Sequence, residues 1–393
     1  MSPSPPRPAA LDRGPIYLDH NATTPVDPRV IEAMLPVLGD GFGNPSSDHA
    51  YGGPAKAALA QARARVAALI DAAPEEIVFA GSGSEADATA IRGVVAAARR
   101  TADARPHVIT QATEHPAVLA ACAYAERHHG ADVTVLPVDT MGLVAPSSLA
   151  AALRPETVLV SIMHANNETG TIQPVAELSR LTHEAGALFH TDAAQSVGKV
   201  PVSVRDLGVD LLTLVGHKMY APKGIAALYV RDGVTLEPLI GGGSQERGRR
   251  AGTENVPHAV ALGAAAELAQ ADLEAGSVAR LTTLRDRLQT ELEEHLPGRV
   301  HLNGHPEHRL PQTLNVSIDG VIGHDVLQTC AGVAASTGSA CHSGDRTPSP
   351  VLTAMGVAAE RGLAALRLTL GRWTTEDDIV TAARALASVA DHP

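Results

Sequence analysis

Residues 190–224 place a carboxylate and a lysine at the ends of two short apolar runs. Asp192 follows ALFH, and Lys218 follows DLLTLV within GHKMYAPKG. In an α/β fold such runs are neighbouring strands, and their polar ends converge on one crevice. A carboxylate that keeps a pyridine nitrogen protonated and a lysine that bonds an aldehyde are the two fixed requirements of a pyridoxal phosphate site. A surface Asp and a surface Lys at ordinary strand ends satisfy the same pattern, so the pair alone decides nothing.

Further candidates stand at other strand ends. FAGSGSEAD (79–87) joins a strand to a helix: Gly81 and Gly83 permit a tight turn, Ser84 offers a hydroxyl, and the free N–H groups of the helix start attract an anion. The segment is neither a P-loop nor a dinucleotide fingerprint, and Ser and Gly there also suit a plain helix cap. His115 in ATEHPAV lies just past HVITQ, where an imidazole could lie flat on a cofactor ring or merely cap the next helix. HANNETG sets Asn166, Asn167 and Glu168 after TVLVSIM; paired Asn before Gly suits a turn, and Asn167 equally suits donation to a phenolate oxygen. Gln195, three positions past Asp192, suits that same oxygen, and His217 beside Lys218 suits a phosphate.

These residues need a scaffold that gathers strand ends. Helical and strand-like patterns alternate from Ile31 to about Leu268. The spacing predicts helices over 54–71 and at EADATAIRGVVAAARR, AVLAACAYAERHHG and PVAELSRLTHEAG. It predicts buried strands at EIVFA (76–80), HVITQ (107–111), DVTVLPV (132–138), TVLVSIM (157–163) and ALFHT (187–191). That alternation implies a mostly parallel sheet covered by helices on both faces.

After a long helix near 257–272 the pattern changes. A charged amphipathic helix over 277–296, strand-like TLNVSID (313–319), helical HDVLQTCAG, LAALRLTLG (363–371) and a last helix near 376–390 make a smaller α+β unit. The expected organisation is a disordered tail over 1–14 and a segment over 15–30 that packs with the small domain. A large domain over 31–270 and a small domain over 271–393 follow.

Composition narrows the function classes. A chain of 393 residues with 45% apolar content supports a sizeable core. A net charge of −12 and 2% aromatic content argue against nucleic acid and anionic membrane as partners. Three cysteines argue against a disulfide framework and for a reducing compartment. The proline-rich start has no apolar centre and is no signal peptide, and no uninterrupted apolar run is long enough to span a membrane. The expected setting is cytoplasmic. His128-His129 and the group His301, His305 and His308 approach metal-ligand spacing, but no suitable cysteine or carboxylate motif joins them, so no metal site is expected.

Taken together, the motifs resemble the cysteine desulfurases of the class V, fold-type I pyridoxal phosphate family, the NifS/IscS-like group. They are YLDHNATTPVDPRV, FGNPSS, FAGSGSEAD, ATEHPAV, HANNETGTIQPV, HTDAAQSVGK, GHKMYAPKGI, GGGSQERGRRAGTEN, STGSACHSG and LRLTLGRWTTEDDI, from about Ile16 to Ile379. The resemblance implies a large domain with a mostly parallel seven-stranded sheet between helices, a smaller α+β C-terminal domain, and pyridoxal 5'-phosphate as cofactor. It implies that Lys218 carries the cofactor and moves the substrate Cα proton, and that Asp192 partners the pyridinium. His115 would stack on the ring and carry a proton, and Asn167 and Gln195 would contact the ring hydroxyl. Ser84, the Gly83 backbone and His217 would hold the phosphate. Thr253, in RRAGTEN, would reach the phosphate of the neighbouring subunit, which implies an obligate homodimer. Arg367 would clamp the substrate carboxylate, with Asn44 and Asn167 beside it.

Cys341 sets the reaction type. Cys122 (AVLAACAYA) and Cys330 (VLQTCAG) suit small buried hydrophobes on apolar helical faces. Cys341, in TGSACHSGDRTPSP, has small polar neighbours and reads as an exposed thiol on a loop over about 334–350. Such a thiol can deprotonate, attack the sulfur of the cysteine substrate and hold it as a persulfide, leaving alanine. The expected function is an L-cysteine desulfurase that passes sulfur to an acceptor, an iron–sulfur scaffold or a sulfur carrier. The spacing from Cys341 to Arg367 matches the longer-loop subgroup. The alternatives are another class V enzyme (selenocysteine lyase, C–S lyase or aminotransferase) and a catalytically quiet assembly partner of the same fold.

Two positions depart from the family pattern. Val215, three before the lysine, stands where a serine is usual, and a charge-assisted hydrogen bond worth about 1.5–3 kcal/mol would be lost. His342 stands where a small hydroxyl residue is usual.

Overall fold

The computed structural model describes residues 5–101, 105–338 and 347–392; Cys341 and His342 lie outside the described residues. A two-residue strand, β1 (Ile16–Tyr17), precedes seven strands of one sheet. These are β2 (Ile77–Ala80), β3 (His107–Gln111), β4 (Asp132–Leu136), β5 (Thr157–Ser161), β6 (Leu188–Asp192), β7 (Leu211–Val215) and β8 (Ala226–Val230). Their spatial order is β2-β8-β7-β6-β5-β3-β4, and β8 alone runs against the others. The seven-stranded, mostly parallel sheet is thus present. The expected strand at 132–138 stops at Leu136 because Pro137 has no N–H for the ladder.

Alternate residues of each strand feed opposite faces, as the two-residue period requires. Phe79, Ile109, Val160 and Leu212 join one core, where the helices Gly52–Leu69 and Val256–Glu274 pack through Leu59, Val66, Leu262 and Ala265. Val78, Val108, Leu159 and Leu211 join the other, where Gly83–Thr101 and Pro116–His129 pack through Ile91, Val95, Val118 and Cys122. Helices therefore cover both faces, and only strand ends are left to build a site.

A further core contains β9 (Val300–Leu302), β10 (Thr313–Ile318), β11 (Val333–Ala334) and β12 (Ala365–Thr369). β9, β10 and β12 form an antiparallel sheet in the order β12-β10-β9, under the helices Ser277–His295 and Glu376–Asp391. The N-terminal segment joins this core: β1 pairs in parallel with β11, Leu18 is fully buried in the core, and Asp19 bridges to Thr369.

The tail expected to be disordered through residue 14 is ordered in part. Ala10–Arg13 form one helical turn, Arg7 Nη1 donates to Trp373 O at 3.3 Å, and Arg7 pairs with Asp12 at 2.9 Å. These polar ties outweigh the proline content on which the expectation rested. No helix among the described residues is long and apolar enough to cross a membrane.

Candidate active site

Beyond the ends of β6 and β7 lies a cavity of about 350 Å³. It brings together Gly83, Ser84, His115, Asn167, Asp192, Gln195, His217, Lys218 and Arg367. A larger groove of about 1060 Å³, beside Val321, Arg361 and Val389, contains none of them, so volume alone does not locate the chemistry.

β6 and β7 pair in parallel with Asp192 opposite Thr213, which sets the carboxylate and the turn after β7 side by side. Asp192 is buried and its Oδ1 accepts a hydrogen bond from Ala194 N at 2.9 Å. Burial pushes its pKa up, while that hydrogen bond and the charges of His115 and Lys218 pull it down. Lys218 ends the turn Gly216–Lys218, and its Nζ donates to Asn21 O (2.6 Å) and Ala22 O (2.7 Å). Burial and the nearby Arg367 push its pKa down to about 8, against the pull of Asp192. An amine near pKa 8 keeps a useful neutral, nucleophilic fraction at neutral pH.

His115 serves as the N-cap of Pro116–His129, its Nδ1 accepting from Ala117 N at 3.1 Å. An accepting Nδ1 leaves the proton of the neutral ring on Nε2. Desolvation lowers its pKa, with Asp192 pulling the other way. The cap and the cavity wall are therefore one residue. Asn166 proves structural: its Nδ2 donates to Thr113 O and its Oδ1 accepts from the Glu168 and Thr169 N–H groups. That knot presents Asn167 to the cavity, while Gln195 Nε2 donates to Asn21 O at 3.0 Å.

At the opposite end Gly83 opens the helix Gly83–Thr101, and Ser84 lies on the cavity wall. Ser82 Oγ is already engaged, capping Glu85 N at 3.1 Å, whereas Ser84 makes no side-chain hydrogen bond among the described residues. His217 Nδ1 lies 3.1 Å from Thr23 Oγ1, and burial with Lys218 and Lys223 pushes its pKa down to about 4. Val215 is a buried part of the wall, where the expected hydroxyl would have been.

Arg367, on β12, pairs with Asp19 Oδ1 at 2.9 Å and donates Nη1 to Asn167 O at 3.2 Å, while its Nε is buried without a partner among the described residues. Two expected residues are absent from the cavity of their own chain. Asn44 is exposed and turns its Oδ1 to Ser46 N (2.9 Å), because the local turn satisfies it. Thr253 is exposed on a separate pocket with Gly81, Arg250 and Asn255.

Residues 16–381 match the family Aminotransferase class-V. The chain is 49% identical to a cysteine desulfurase of Gluconacetobacter diazotrophicus, with 93% of this chain and 90% of that protein covered. It is 48% identical to a cysteine desulfurase IscS of Methanosarcina thermophila, with 93% and 89% covered. Among solved structures it is similar to a NifS-like protein, with a TM-score of 0.88, 34% identity, and 96% of this chain and 100% of that one covered. It is also similar to SspA in complex with cysteine, with a TM-score of 0.78, 36% identity, and coverage of 91% and 99%. The chain belongs to the class V aminotransferase family, among its cysteine desulfurases.

Class V enzymes of this group depend on pyridoxal 5'-phosphate, and the cavity fits that group. Asp192 is a buried carboxylate with a raised pKa, a state that a cationic ring nitrogen would relieve. Ser84 and the N–H groups of a 19-residue helix offer free donors to a phosphate at the other end. The volume falls in the range of small-ligand sites.

Sequence reasoning missed the strap that this class V chain lays over its lysine turn. Thr24 N and Oγ1 both donate to His217 O (2.8 and 2.9 Å), and Tyr220 N donates to Thr24 Oγ1 (2.8 Å). The motif HNATT contains Thr24 along with Asn21 and Ala22, but backbone carbonyls such as those of Asn21 and Ala22 carry no side-chain signature. Missed too were Asp87 and Glu114, buried acids close enough to Asp192 for its charge to raise their pKa values. Their neighbours in sequence, Ser84 and His115, were the available signal.

Proposed function

We propose that this enzyme takes sulfur from L-cysteine, holds it as a persulfide on Cys341, and releases L-alanine. The reading is carried by one observation: a lysine, a buried carboxylate and a carboxylate-binding arginine line a single cavity. Similarity to SspA in complex with cysteine supports the substrate. When bound, the cofactor supplies an electron sink for the carbanion at the substrate Cα.

The chain's own residues divide the remaining work. Lys218 would hold the cofactor and move the Cα proton; Asp192 would keep the ring nitrogen protonated. His115 would stack on the ring, Asn167 and Gln195 would contact the ring hydroxyl, and Gly83, Ser84 and His217 would hold the phosphate. Arg367 orients the substrate carboxylate. The Cys341 thiolate attacks the substrate sulfur: an S–S bond forms, the C–S bond breaks, and its electron pair stays with the carbon, which takes a proton to become the methyl of alanine.

The acceptor of the sulfur is an iron–sulfur scaffold or a sulfur carrier in the cytoplasm. The enzyme works as a homodimer in which Thr253 completes the partner's phosphate site. Exposed apolar side chains at Ile31, Leu35, Leu38, Phe42, Tyr51 and Ile240 support such an interface. We read residues 31–270 and 271–393 as its large and small domains.

The test is mass spectrometry of the holoenzyme after L-cysteine. The expected result is alanine in solution and one added sulfur on Cys341. Full desulfurase turnover by Cys341→Ala would overturn the reading.

A further inference from the structure

Glu168, the residue after the cavity-wall residue Asn167, has no task in the reaction just proposed, yet it is buried and near enough to Arg367 for that charge to act on its carboxyl. Its Oε2 accepts a hydrogen bond from Ser349 Oγ at 2.5 Å. The same oxygen stands 2.7 Å from where a Cβ on residue 338 would be, so the Gly338 backbone rests against the carboxylate. Gly338 precedes the stretch that contains Cys341, and Ser349 follows it. One carboxylate oxygen therefore touches both flanks.

Each flank is itself fixed. Ser349 caps Pro350–Ala354, accepting from Val351 N at 3.1 Å. Gly338 N donates to Ser336 Oγ at 3.0 Å, and Ser336 exchanges backbone hydrogen bonds with Arg367 (3.3 and 2.6 Å). At φ +84°, position 338 also favours glycine, which lets the backbone come this close. Glu168 is held from behind: its N–H donates to Asn166 Oδ1, and its carbonyl accepts from Asn315 Nδ2, on the residue paired with Arg367 across β10 and β12.

We infer that Glu168 is a positioning residue that pins both flanks of the Cys341 segment to the substrate end of the cavity. The inference rests on the proposed role of Cys341. Burial pushes the Glu168 carboxyl up to about 7, against Ser349 and Arg367, so a neutral amide acceptor suits the same place.

The experiment compares wild-type holoenzyme with Glu168→Ala, Glu168→Asp and Glu168→Gln. L-cysteine binding is read from the cofactor absorbance, and sulfur loading of Cys341 from single-turnover mass spectrometry. Glu168→Ala and the shorter Glu168→Asp are expected to load Cys341 about 10- to 100-fold more slowly while binding cysteine as the wild type does. Glu168→Gln is expected to recover most of the rate, because its amide oxygen still accepts from Ser349. Wild-type loading rates in Glu168→Asp, or an equal loss of binding and loading in all three variants, would overturn the inference. A wild-type enzyme that turns over with no sulfur on Cys341 would overturn the reading beneath it.

Discussion

Arg367 and Asp19 form an ion pair at 2.9 Å, so the guanidinium proposed to bind a substrate carboxylate already holds a carboxylate of its own chain. The pair, with Asn167 O on Nη1, fixes the arginine in place and leaves Nε without a partner among the described residues. A preset fork loses little side-chain freedom on binding.

Arg367→Lys is therefore expected to raise KM for L-cysteine about 10- to 100-fold, because an ammonium cannot make the paired N–H contacts. Steady-state alanine formation measures it. An unchanged KM would remove Arg367 from substrate binding.

Gly83 and Val215 are matched in size: a Cβ at position 83 would lie 2.7 Å from Val215 Cγ2. Gly83→Ala should weaken cofactor binding about tenfold, since overpacking costs about 1–3 kcal/mol. Gly83→Ala with Val215→Ser should recover it, because serine lacks the second methyl and adds a hydroxyl near the phosphate end. Absorbance titration of the apoenzyme gives both Kd values, and a double variant no better than Gly83→Ala would refute the match.

Glu114 gives a pH signature. Burial pushes its pKa up to about 8 from 4.5; the Met163 N–H and Gln111 oppose the rise, and Asp192 adds to it. The folded state then holds this proton more tightly than the unfolded chain, so its contribution is complete below pH 4.5 and lost as pH rises through 8. Asp87 and Asp192, the other raised acids near it, are present in both proteins, so the difference reports Glu114 together with its coupling to them. Apo Glu114→Gln, which keeps an acceptor for Met163 N, should show a flatter fall of Tm with pH than the wild type. Parallel Tm curves would contradict the raised pKa.

Thr253 is tested by mixing subunits. Lys218→Ala and Thr253→Ala homodimers should each be weak, and co-refolded mixtures should regain activity. One site of the mixed dimer then has Lys218 from one protomer and Thr253 from the other. Activity no higher than the average of the parents would place Thr253 in its own chain's site, or outside catalysis.

The strands and their order of chemistry were legible because the information is local. Runs such as LLTLV and HVITQ are short, rich in apolar residues and buried at every position, as strands covered on both faces must be, and the residues after each run mark a strand end. Asp192, Lys218, His115 and Asn167, which line the cavity, were singled out that way. Asn44 was not corrected by any local signal, since a turn that satisfies its side chain looks the same in sequence as a loop that offers it to substrate.

The sequence by itself determined the kind of site: which groups stand at strand ends, and hence which cofactor they suit. The tertiary structure decided how those groups are held. Asn21, Ala22 and Asp19 reach Lys218 and Arg367 only because β1 pairs with β11 and carries the N-terminal segment across to the lysine turn. Contacts between residues hundreds of positions apart, several made through backbone carbonyls, leave no periodicity and no residue type to read.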